Sequence, residues 1–222
     1  MAQGIPLNTY GVGMGEYNDT LLEQLADHGN GAYAYIDTID QARTLFVDNP
    51  TSSLDTIALN AKIQIDFNPD VVATYRLIGY ENRAIADQNF RNDAVSAGAI
   101  GPGHHATAIY AVTFRPGAQG RIATAQLRWE DPQSHAVQEI NGNLNTWELA
   151  SSFEQAAPRF QLLATVAEYA ELLRQSPWAG YASMTLLNDY ACRLVNLLPE
   201  DAQVVEFAGL VNTAARLSGP SD

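Results

Sequence analysis

Apolar and polar positions in residues 1–48 follow an alternation of short strands and helices. Apolar residues of the first helical segment recur at spacings of three and four, which places them on one face. Asn18 or Asp19 can cap this helix, and Thr38 with Gln41 fits a capping box for the next one. Strands that alternate with helices predict a parallel sheet. Because two strands alone do not make a stable parallel sheet, we interpret this part as the end of a larger α/β domain.

In residues 49–150 the apolar spacing changes to the period of two that is typical of strands. Ile63, Ile65 and Phe67 alternate with polar residues, as expected for a strand with one buried face. Turns rich in glycine, proline and asparagine separate further apolar runs. Strands are predicted at 62–67, 71–78, 105–114 and 121–129, with a short fifth strand at 136–140. Repeated strands with such turns predict a small antiparallel β-sandwich.

Residues 151–218 return to helical spacing. Ser152 and Gln155 fit a capping box, and Pro158 either begins the main helix or kinks it. A break at residues 176–180 and a proline at position 199 divide the remaining apolar pattern, so three helices are predicted. The sequence therefore predicts an α+β protein that ends in a helical bundle.

The acidic composition excludes two classes of partner. The 222 residues include 12 basic and 25 acidic side chains, which give a formal net charge of −13. Electrostatic binding to nucleic acid or anionic lipid needs clustered lysine and arginine, whereas Lys62 is the only lysine. No run approaches the roughly 18 apolar residues of a membrane span, and the first residues do not resemble a signal peptide. Cys192, the single cysteine, excludes an intrachain disulfide and is predicted to be buried.

Two motifs invite a chemical interpretation, and each has a simpler structural one. Residues 11–15 are rich in glycine, but Glu16 stands where a dinucleotide-binding motif needs its third glycine. A flexible turn is therefore favoured, since a carboxylate would also repel a phosphate. His104 and His105 are neighbours in an extended segment and point to opposite faces, which disfavours one shared metal ion. Loop histidines at the start of a strand are favoured here.

The acidic residues do not form a recognisable catalytic or calcium motif. Glu81, Asp87 and Asp93 lie in the polar connection after the second strand of the β-rich part and do not match a calcium-binding loop. Glu168 and Glu171 share one helix face, but catalysis by two carboxylates requires environments that separate their pKa values. The sequence contains no pattern that predicts such a separation for the helical pair, and a solvated loop is favoured for Glu81, Asp87 and Asp93.

Residues 76–83 form an unusual string in which arginine, acid and amide side chains flank a Gly-Tyr corner. The favoured interpretation is architectural, with arginine–carboxylate pairing and a tyrosine that fixes the end of the strand. The alternative is an edge that contacts a ligand. The residues that carry either role, as an interaction or a structural site, are Arg76, Tyr80, Glu81 and Arg83.

Four long strings of residues carry a resemblance to a known family. These strings lie at residues 9–19, 25–38, 62–69 and 75–83. The first two resemble the end of a von Willebrand factor type A domain, as found in a bacterial family of exported YfbK-type proteins. The other two are similar to the uncharacterised region that follows that domain in the same family. The resemblance covers nearly the whole chain.

The resemblance implies a binding or adhesion role that usually depends on a divalent metal ion. In the family the metal is held by an Asp-x-Ser-x-Ser motif, a distant threonine and a distant aspartate. That motif occurs nowhere in this sequence. The matching ligands lie upstream of the stretch at residues 6–9, so no metal residue carries over. We expect no cofactor in this chain, with Mg²⁺ confined to the upstream site of the parent family, and we expect the chain to be a C-terminal fragment.

These observations combine into one predicted architecture. Its parts are the end of a Rossmann-like type A domain at 1–48, an antiparallel β-rich domain with a small β-sandwich at 49–150, and a helical region that packs on it at 151–222. The fold class is α+β. A parallel sheet that begins inside this chain has an unpaired edge, which predicts self-association through that edge.

The favoured function is a non-enzymatic protein-binding or scaffolding module of a bacterial cell-envelope protein. The resemblance implies a periplasmic or cell-envelope location and a protein partner whose identity the sequence does not give. The alternative is a metal-dependent hydrolase that uses His104 or His105 with loop carboxylates such as Glu81.

Overall fold

A computed structural model describes residues 7–13, 18–29, 31, 33–48, 56–79, 87–93, 95, 97–103, 105–180 and 182–218. The chain divides into two compact units. The first consists of Met1–Thr74, Asn82–Thr107 and Thr113–Thr146, and the second of Tyr75–Glu81, Ala108–Val112 and Trp147–Asp222. The α+β class predicted from the sequence is confirmed, with several small sheets in addition to the helices.

The first unit begins with two parallel strands that flank a helix. Strand β1 (Thr9–Val12) pairs in register with β2 (Tyr33–Ile36), and α1 (Asp19–His28) connects them. Asn18 caps α1, because its Oδ1 accepts a hydrogen bond from the Leu21 backbone N–H at 3.0 Å. The predicted parallel pairing is thus observed, and of the two candidate caps Asn18 bonds the free N–H three residues on.

Glycine at position 29 allows the chain after α1 to pass close to the chain before β1. The Leu7 N–H donates to the Gly29 carbonyl at 3.0 Å. A Cβ atom at position 29 would lie 2.4 Å from the Leu7 Cβ, well inside van der Waals contact. The absence of a side chain at Gly29 is therefore required by packing, in addition to its role as a helix terminator.

The capping box predicted for the second helix is largely formed. The Thr38 hydroxyl accepts a hydrogen bond from the Gln41 N–H at 3.2 Å, and the Gln41 side chain accepts one from the Asp37 N–H at 3.2 Å. These bonds open α2 (Ile39–Arg43), which continues in a wider helical turn at Thr44–Asp48. The reach of Gln41 to Asp37, rather than to Thr38, is the one departure from the expected pattern.

The main sheet of the first unit has three antiparallel strands. They are β3 (Leu59–Phe67), β6 (Arg121–Glu130) and β7 (Val137–Asn145), in the order β3-β6-β7. Two further strands, β4 (Val72–Ile78) and β5 (Ile109–Phe114), form a separate two-stranded sheet. The strands of the β-rich part therefore lie in two small sheets, and the fifth predicted strand is longer than expected.

At Lys62 and Ile63 of β3 the polar side chain is the covered one, whereas further along the strand Ile65 and Phe67 are half-buried and Asp66 is exposed. The alternation predicted for Ile63, Ile65 and Phe67 is present, but Ile63 is 61% exposed whereas Lys62 is 3% exposed. The Lys62 ammonium donates to the backbone carbonyls of Asn92 at 2.7 Å and Asn89 at 3.4 Å. A polar connection thus covers the lysine face, and the expectation that the isoleucine face is the buried one is wrong for Ile63.

Three helices form the core of the second unit. They are α3 (Pro158–Leu173), α4 (Met184–Leu197) and α5 (Ala202–Ser218). Pro158 begins α3, where its missing N–H is not needed. The buried centre joins α4 and α5 and is flanked by α3 side chains. Its buried members are Leu187, Ala191, Ala208 and Val211, and its partly buried members include Tyr169, Leu172 and Phe207.

Two local predictions for this unit are wrong. Ser152 makes no capping hydrogen bond and precedes only a short helical turn at Phe153–Gln155, because the Gln155 side chain bonds Ser151 instead. Cys192 is exposed on α4, since it follows the buried Ala191 by one position and so turns away from the core. No helix in the described part of the chain is long and apolar enough to span a membrane.

Candidate functional site

The site predicted at residues 76–83 is described at one of its four residues. Arg76 lies in β4. Tyr80, Glu81 and Arg83 lie outside the described residues. The Arg76 side chain reaches the end of α3 within the second unit, so the site is built from its contacts there.

Glu171 is the centre of this cluster. Its side chain is 3% exposed, and each of its carboxylate oxygens has a charged partner. Oε2 lies 3.4 Å from the Arg76 guanidinium and accepts a hydrogen bond from the Ser176 hydroxyl at 2.8 Å. Oε1 lies 2.5 Å from the guanidinium of Arg174. A buried carboxylate requires such compensation, and here two arginines and a hydroxyl supply it.

The end of α3 brings these groups together through a Schellman motif. The Ser176 N–H donates to the Glu171 carbonyl at 2.9 Å, and the Gln175 N–H donates to the Leu172 carbonyl at 3.0 Å. Gln175 adopts a left-handed conformation with φ of 53°. Helices that end in this way usually have glycine at that position. The motif turns the chain back so that the Ser176 hydroxyl meets the carboxylate of its own helix.

Trp178 lies on the outer side of Arg76. The Arg76 guanidinium carbon is 4.9 Å from the centre of the indole ring, within the range of a cation–π contact. The backbone N–H of Trp178 donates to the Ser176 hydroxyl at 3.2 Å, which ties Trp178 to the turn at the end of α3. Trp178 is nevertheless 66% exposed. Arg76, Glu171, Ser176 and Trp178 are called the Arg–Trp cluster below.

Glu168, on the same face of α3 as Glu171, has different surroundings. Burial raises the pKa of the neighbouring Glu168 above its ordinary value, and repulsion from Glu171 adds to this, while Arg76 opposes it. The Ser176 hydroxyl donates to a carboxylate that also faces two guanidinium groups. The cluster presents an exposed indole beside a guanidinium, and the carboxylate that pairs with Arg76 is that of Glu171, a residue outside the predicted string.

The residues proposed for a metal-dependent hydrolase are not assembled in the described part of the chain. No group of three histidine, cysteine or acidic side chains there could hold a metal ion. His105 is exposed, and Asp93 pairs with Arg128 at 2.6 Å. His104 and Glu81 lie outside the described residues. Nothing described supports the hydrolase hypothesis.

A second polar cluster, in the first unit, was not predicted. Lys62 lies beneath the connection at residues 87–93, and burial together with the nearby Arg128 lowers its pKa. On the same face of the sheet Arg91 binds Glu139 at 2.6 Å. One feature of the sequence could have predicted this cluster. The single lysine of the chain lies within a predicted strand, at a position whose neighbours are apolar.

Comparisons with known proteins identify the family. The family model described as "Uncharacterized protein YfbK, C-terminal" matches residues 52–119 and 115–217. The uncharacterised protein YfbK of Escherichia coli strain K12 is 30% identical over 230 residues. That match covers 95% of this chain and 39% of the relative. This chain therefore spans about 39% of the length of the curated relative it matches.

A comparison with solved structures also matched the crystal structure of the ArnB paralog VWA2 from Sulfolobus acidocaldarius. It is 19% identical, and the match covers 91% of this chain and 50% of that chain, with a TM-score of 0.44. The resemblance to the C-terminal part of YfbK-type proteins, stated from the sequence, is confirmed by the family model and the relative. The chain belongs to the YfbK family and contains its C-terminal region.

Proposed function

We propose that this chain is a non-enzymatic protein-binding or scaffolding module of a YfbK-type protein of the cell envelope. The observation that carries the proposal is the exposed indole of Trp178, held against an arginine that a buried glutamate anchors. Tryptophan and arginine are the residues most enriched in the energetic centres of protein interfaces. The partner is a protein, and neither nucleic acid nor a membrane span is involved.

The Arg–Trp cluster fits such a role because it is already ordered. An exposed tryptophan that is fixed before binding loses little conformational entropy when a partner covers it. The Glu171 ion pair fixes Arg76, and Arg76 in turn supports one face of the indole. Leu173, at the end of α3 between Glu171 and Ser176 in the sequence, adds an exposed apolar side chain. Free energy of binding is thus concentrated on few side chains.

The β1–α1–β2 part is the end of a von Willebrand factor type A domain in this proposal. Two parallel strands joined by a helix are the repeating unit of such an α/β domain. The divalent metal of the parent family is bound upstream of this stretch, so this chain binds no cofactor. Self-association through the edge of the β1–β2 sheet belongs to the same proposal.

The finer architecture is also part of the proposal. In this proposal the β-rich part is a small antiparallel sandwich, and α3, α4 and α5 form a helical bundle. The division into parts at 1–48, 49–150 and 151–222 follows the same scheme. A cell-envelope location is consistent with the exported character implied by the family resemblance.

Site-specific photo-crosslinking tests the binding role. A photoreactive phenylalanine analogue replaces Leu173, which is exposed at the end of α3, so that Trp178 stays in place. The full chain is produced in bacterial cells that encode a YfbK-type protein. The control carries the analogue at Leu217, which is also exposed but lies at the end of α5. We expect a discrete protein adduct at position 173 that is absent at 217 and that is lost when Trp178 is replaced by alanine. Identical adducts at both positions, or none at 173, would contradict the proposal.

Calorimetry tests the proposal that the chain binds no metal. Mg²⁺ and Ca²⁺ are each titrated into the full chain at neutral pH. We expect no saturable heat, because the family's metal ligands have no counterpart in this sequence. Tight binding of one ion per chain would refute this part of the proposal and leave the binding role of Trp178 to be judged by the crosslinking result.

A further inference from the structure

Strand β7 is an exposed edge of the three-stranded sheet. On the opposite edge, β3 and the residue before it are bonded to the segment at 98–100, for example from the Ala61 N–H to the Gly98 carbonyl at 3.0 Å. β7 pairs with β6, and no other described strand pairs with it. The first eight of its nine residues are exposed on both faces. None of the strands in the described part of the chain therefore occupies the outer edge of β7.

The ladder between β6 and β7 shows which main-chain groups point outward. The Asp131 N–H donates to the Ala136 carbonyl at 2.9 Å, and opposite pairs along an antiparallel ladder alternate between bonded and non-bonded. Residues 138, 140, 142 and 144 therefore bond β6. The N–H and C=O groups of Val137, Glu139, Asn141 and Asn143 point away from the sheet.

This edge lacks the features that normally prevent strands from pairing. Natural edge strands carry lysine, proline or a bulge. Residues 137–145 contain no lysine, arginine or proline, and the register with β6 is regular from Val137 to Leu144. Glu139 is the only charged residue, and Arg91 neutralises it at 2.6 Å. The edge is suited to accept a strand.

The centre of β7 reads nearly the same in both directions around Gly142. Residues 140–144 are Ile-Asn-Gly-Asn-Leu, which is palindromic apart from the change of one branched aliphatic residue for another. A twofold axis through an antiparallel pair places each residue opposite its mirror position in the other copy. At the centre of β7 the residues paired in this way are therefore alike, aliphatic with aliphatic and asparagine with asparagine.

We propose that two copies of this chain pair β7 with β7 in antiparallel register about Gly142, forming a continuous six-stranded sheet. Ile140 lies opposite Leu144 of the partner subunit, and Asn141 lies opposite Asn143 of the partner subunit. The outward groups of Asn141 and Asn143 make the new main-chain hydrogen bonds. This edge is distinct from that of the β1–β2 sheet, and the proposal does not depend on the Arg–Trp cluster.

The side chains agree with this register. Ile140 and Leu144 share a face with Leu127 and Ile63, so pairing extends one apolar surface across both subunits. Gly142 would meet itself at a non-hydrogen-bonded position, where the two backbones approach most closely. No atom lies within 4 Å of a Cβ built at Gly142, so this place is open. Glu139 meets Asn145 of the partner subunit, which avoids opposed like charges.

Sedimentation equilibrium of the full chain tests the dimer and its edge. Asn141→Pro removes an outward N–H and leaves the ladder to β6 in place, whereas Asn141→Thr keeps the N–H. We expect the wild-type chain and Asn141→Thr to dimerise. Asn141→Pro should raise the dimer dissociation constant by about tenfold or more, with an unchanged far-ultraviolet circular dichroism spectrum. A monomeric wild-type chain, or a dimer that Asn141→Pro leaves unaffected, would overturn the proposal.

Disulfide crosslinking tests the register, and it remains informative if Asn141→Pro does not fold. Gly142→Cys and Gln138→Cys are compared in a Cys192→Ser background under oxidised glutathione, which accepts the two electrons of each new disulfide. Two copies of residue 142 face each other and come within disulfide distance. Two copies of residue 138 lie about 27 Å apart along the strands. We expect a crosslinked dimer from Gly142→Cys only; equal crosslinking at both positions, or at neither, overturns the register.

Discussion

Arg76 of β4 and Glu171 of α3 form an ion pair whose two members differ in exposure. The guanidinium lies 3.4 Å from the carboxylate; the Arg76 side chain is 25% exposed and that of Glu171 is 3% exposed. The glutamate is thus the buried member, and it depends on its partners for compensation of its charge. The arginine has a second contact, because its outer side faces the Trp178 ring.

Removing the arginine should destabilise the second unit. We expect Arg76→Met to lower the free energy of unfolding by about 2–3 kcal/mol, since a buried carboxylate loses one of its two cationic partners. The stability of Arg76→Lys should lie between those of the wild-type chain and Arg76→Met, because lysine keeps the charge and loses the planar stacking surface. Urea unfolding followed by tryptophan fluorescence measures both, with Arg216→Met on the exposed end of α5 as the control. Equal stabilities of Arg76→Met and Arg216→Met would contradict the role of the pair.

Glycine should fit position 175 better than the native glutamine. Gln175 has a φ of 53°, which costs an L-residue free energy that glycine avoids. We expect Gln175→Gly to raise the free energy of unfolding by about 0.5–1 kcal/mol, after the added flexibility of the unfolded chain is subtracted. Thermal and urea unfolding provide the measurement. The same substitution at Gln24, which is exposed inside α1, should have the opposite sign. A loss of stability at both positions would refute the Schellman geometry.

The pKa of Glu168 makes stability depend on pH. Because burial and Glu171 raise this pKa in the folded state, folding favours the protonated carboxyl. The stabilising contribution is present below the unfolded pKa and is lost as the pH rises through the folded pKa. Glu168→Gln should therefore raise the melting temperature at pH 8 and have little effect at pH 4. The gain in the free energy of unfolding at pH 8 should be roughly a few tenths of a kcal/mol, because Glu168 is partly exposed.

Scanning calorimetry at both pH values checks this prediction. Glu206→Gln on the exposed side of α5 is the matched control, and it removes the same formal charge. An equal gain for the two variants at pH 8 would show that net charge, rather than the surroundings of Glu168, sets the effect.

A methyl group at position 29 should disrupt the entry to β1. We expect Gly29→Ala to lower the free energy of unfolding of the first unit by about 1–3 kcal/mol, because the new Cβ lies 2.4 Å from the Leu7 Cβ. Gly98→Ala is the control, since no atom lies within 4 Å of a Cβ there. Chemical denaturation monitored by circular dichroism compares the two. Similar stabilities would show that Leu7 is not packed against Gly29.

Local signals in the sequence were sufficient for the first strands and helices. Asn18 and Thr38 each accept a backbone hydrogen bond at a helix start, as their side-chain chemistry predicts. The end of α3 escaped prediction because its left-handed residue is Gln175, where the expected signal is glycine. The four strings of residues that resemble the YfbK family correctly predicted the family. Three of the four candidate site residues lie outside the described residues.

The strand patterns predicted correctly which residues share a face, but they predicted less well which face is buried. The alternation around Ile63 correctly sorted the residues into two faces, but the covering of one face by the polar connection at 87–93 is a tertiary contact with no period of its own. β7 was predicted to end at residue 140 because asparagine and glycine disfavour strands. Pairing with β6 extends it to Asn145 and overrides that local preference.

Lys62 gives the chain an unusual chemical property. Its amine is the only lysine amine in 222 residues, and it lies 3% exposed beneath the carbonyls of Asn89 and Asn92. An amine-directed acylating reagent can reach this nitrogen only when the covering connection lifts away. The rate at which such a label accumulates on Lys62 therefore measures how often the connection at residues 87–93 opens. No other lysine in the chain competes for the reagent.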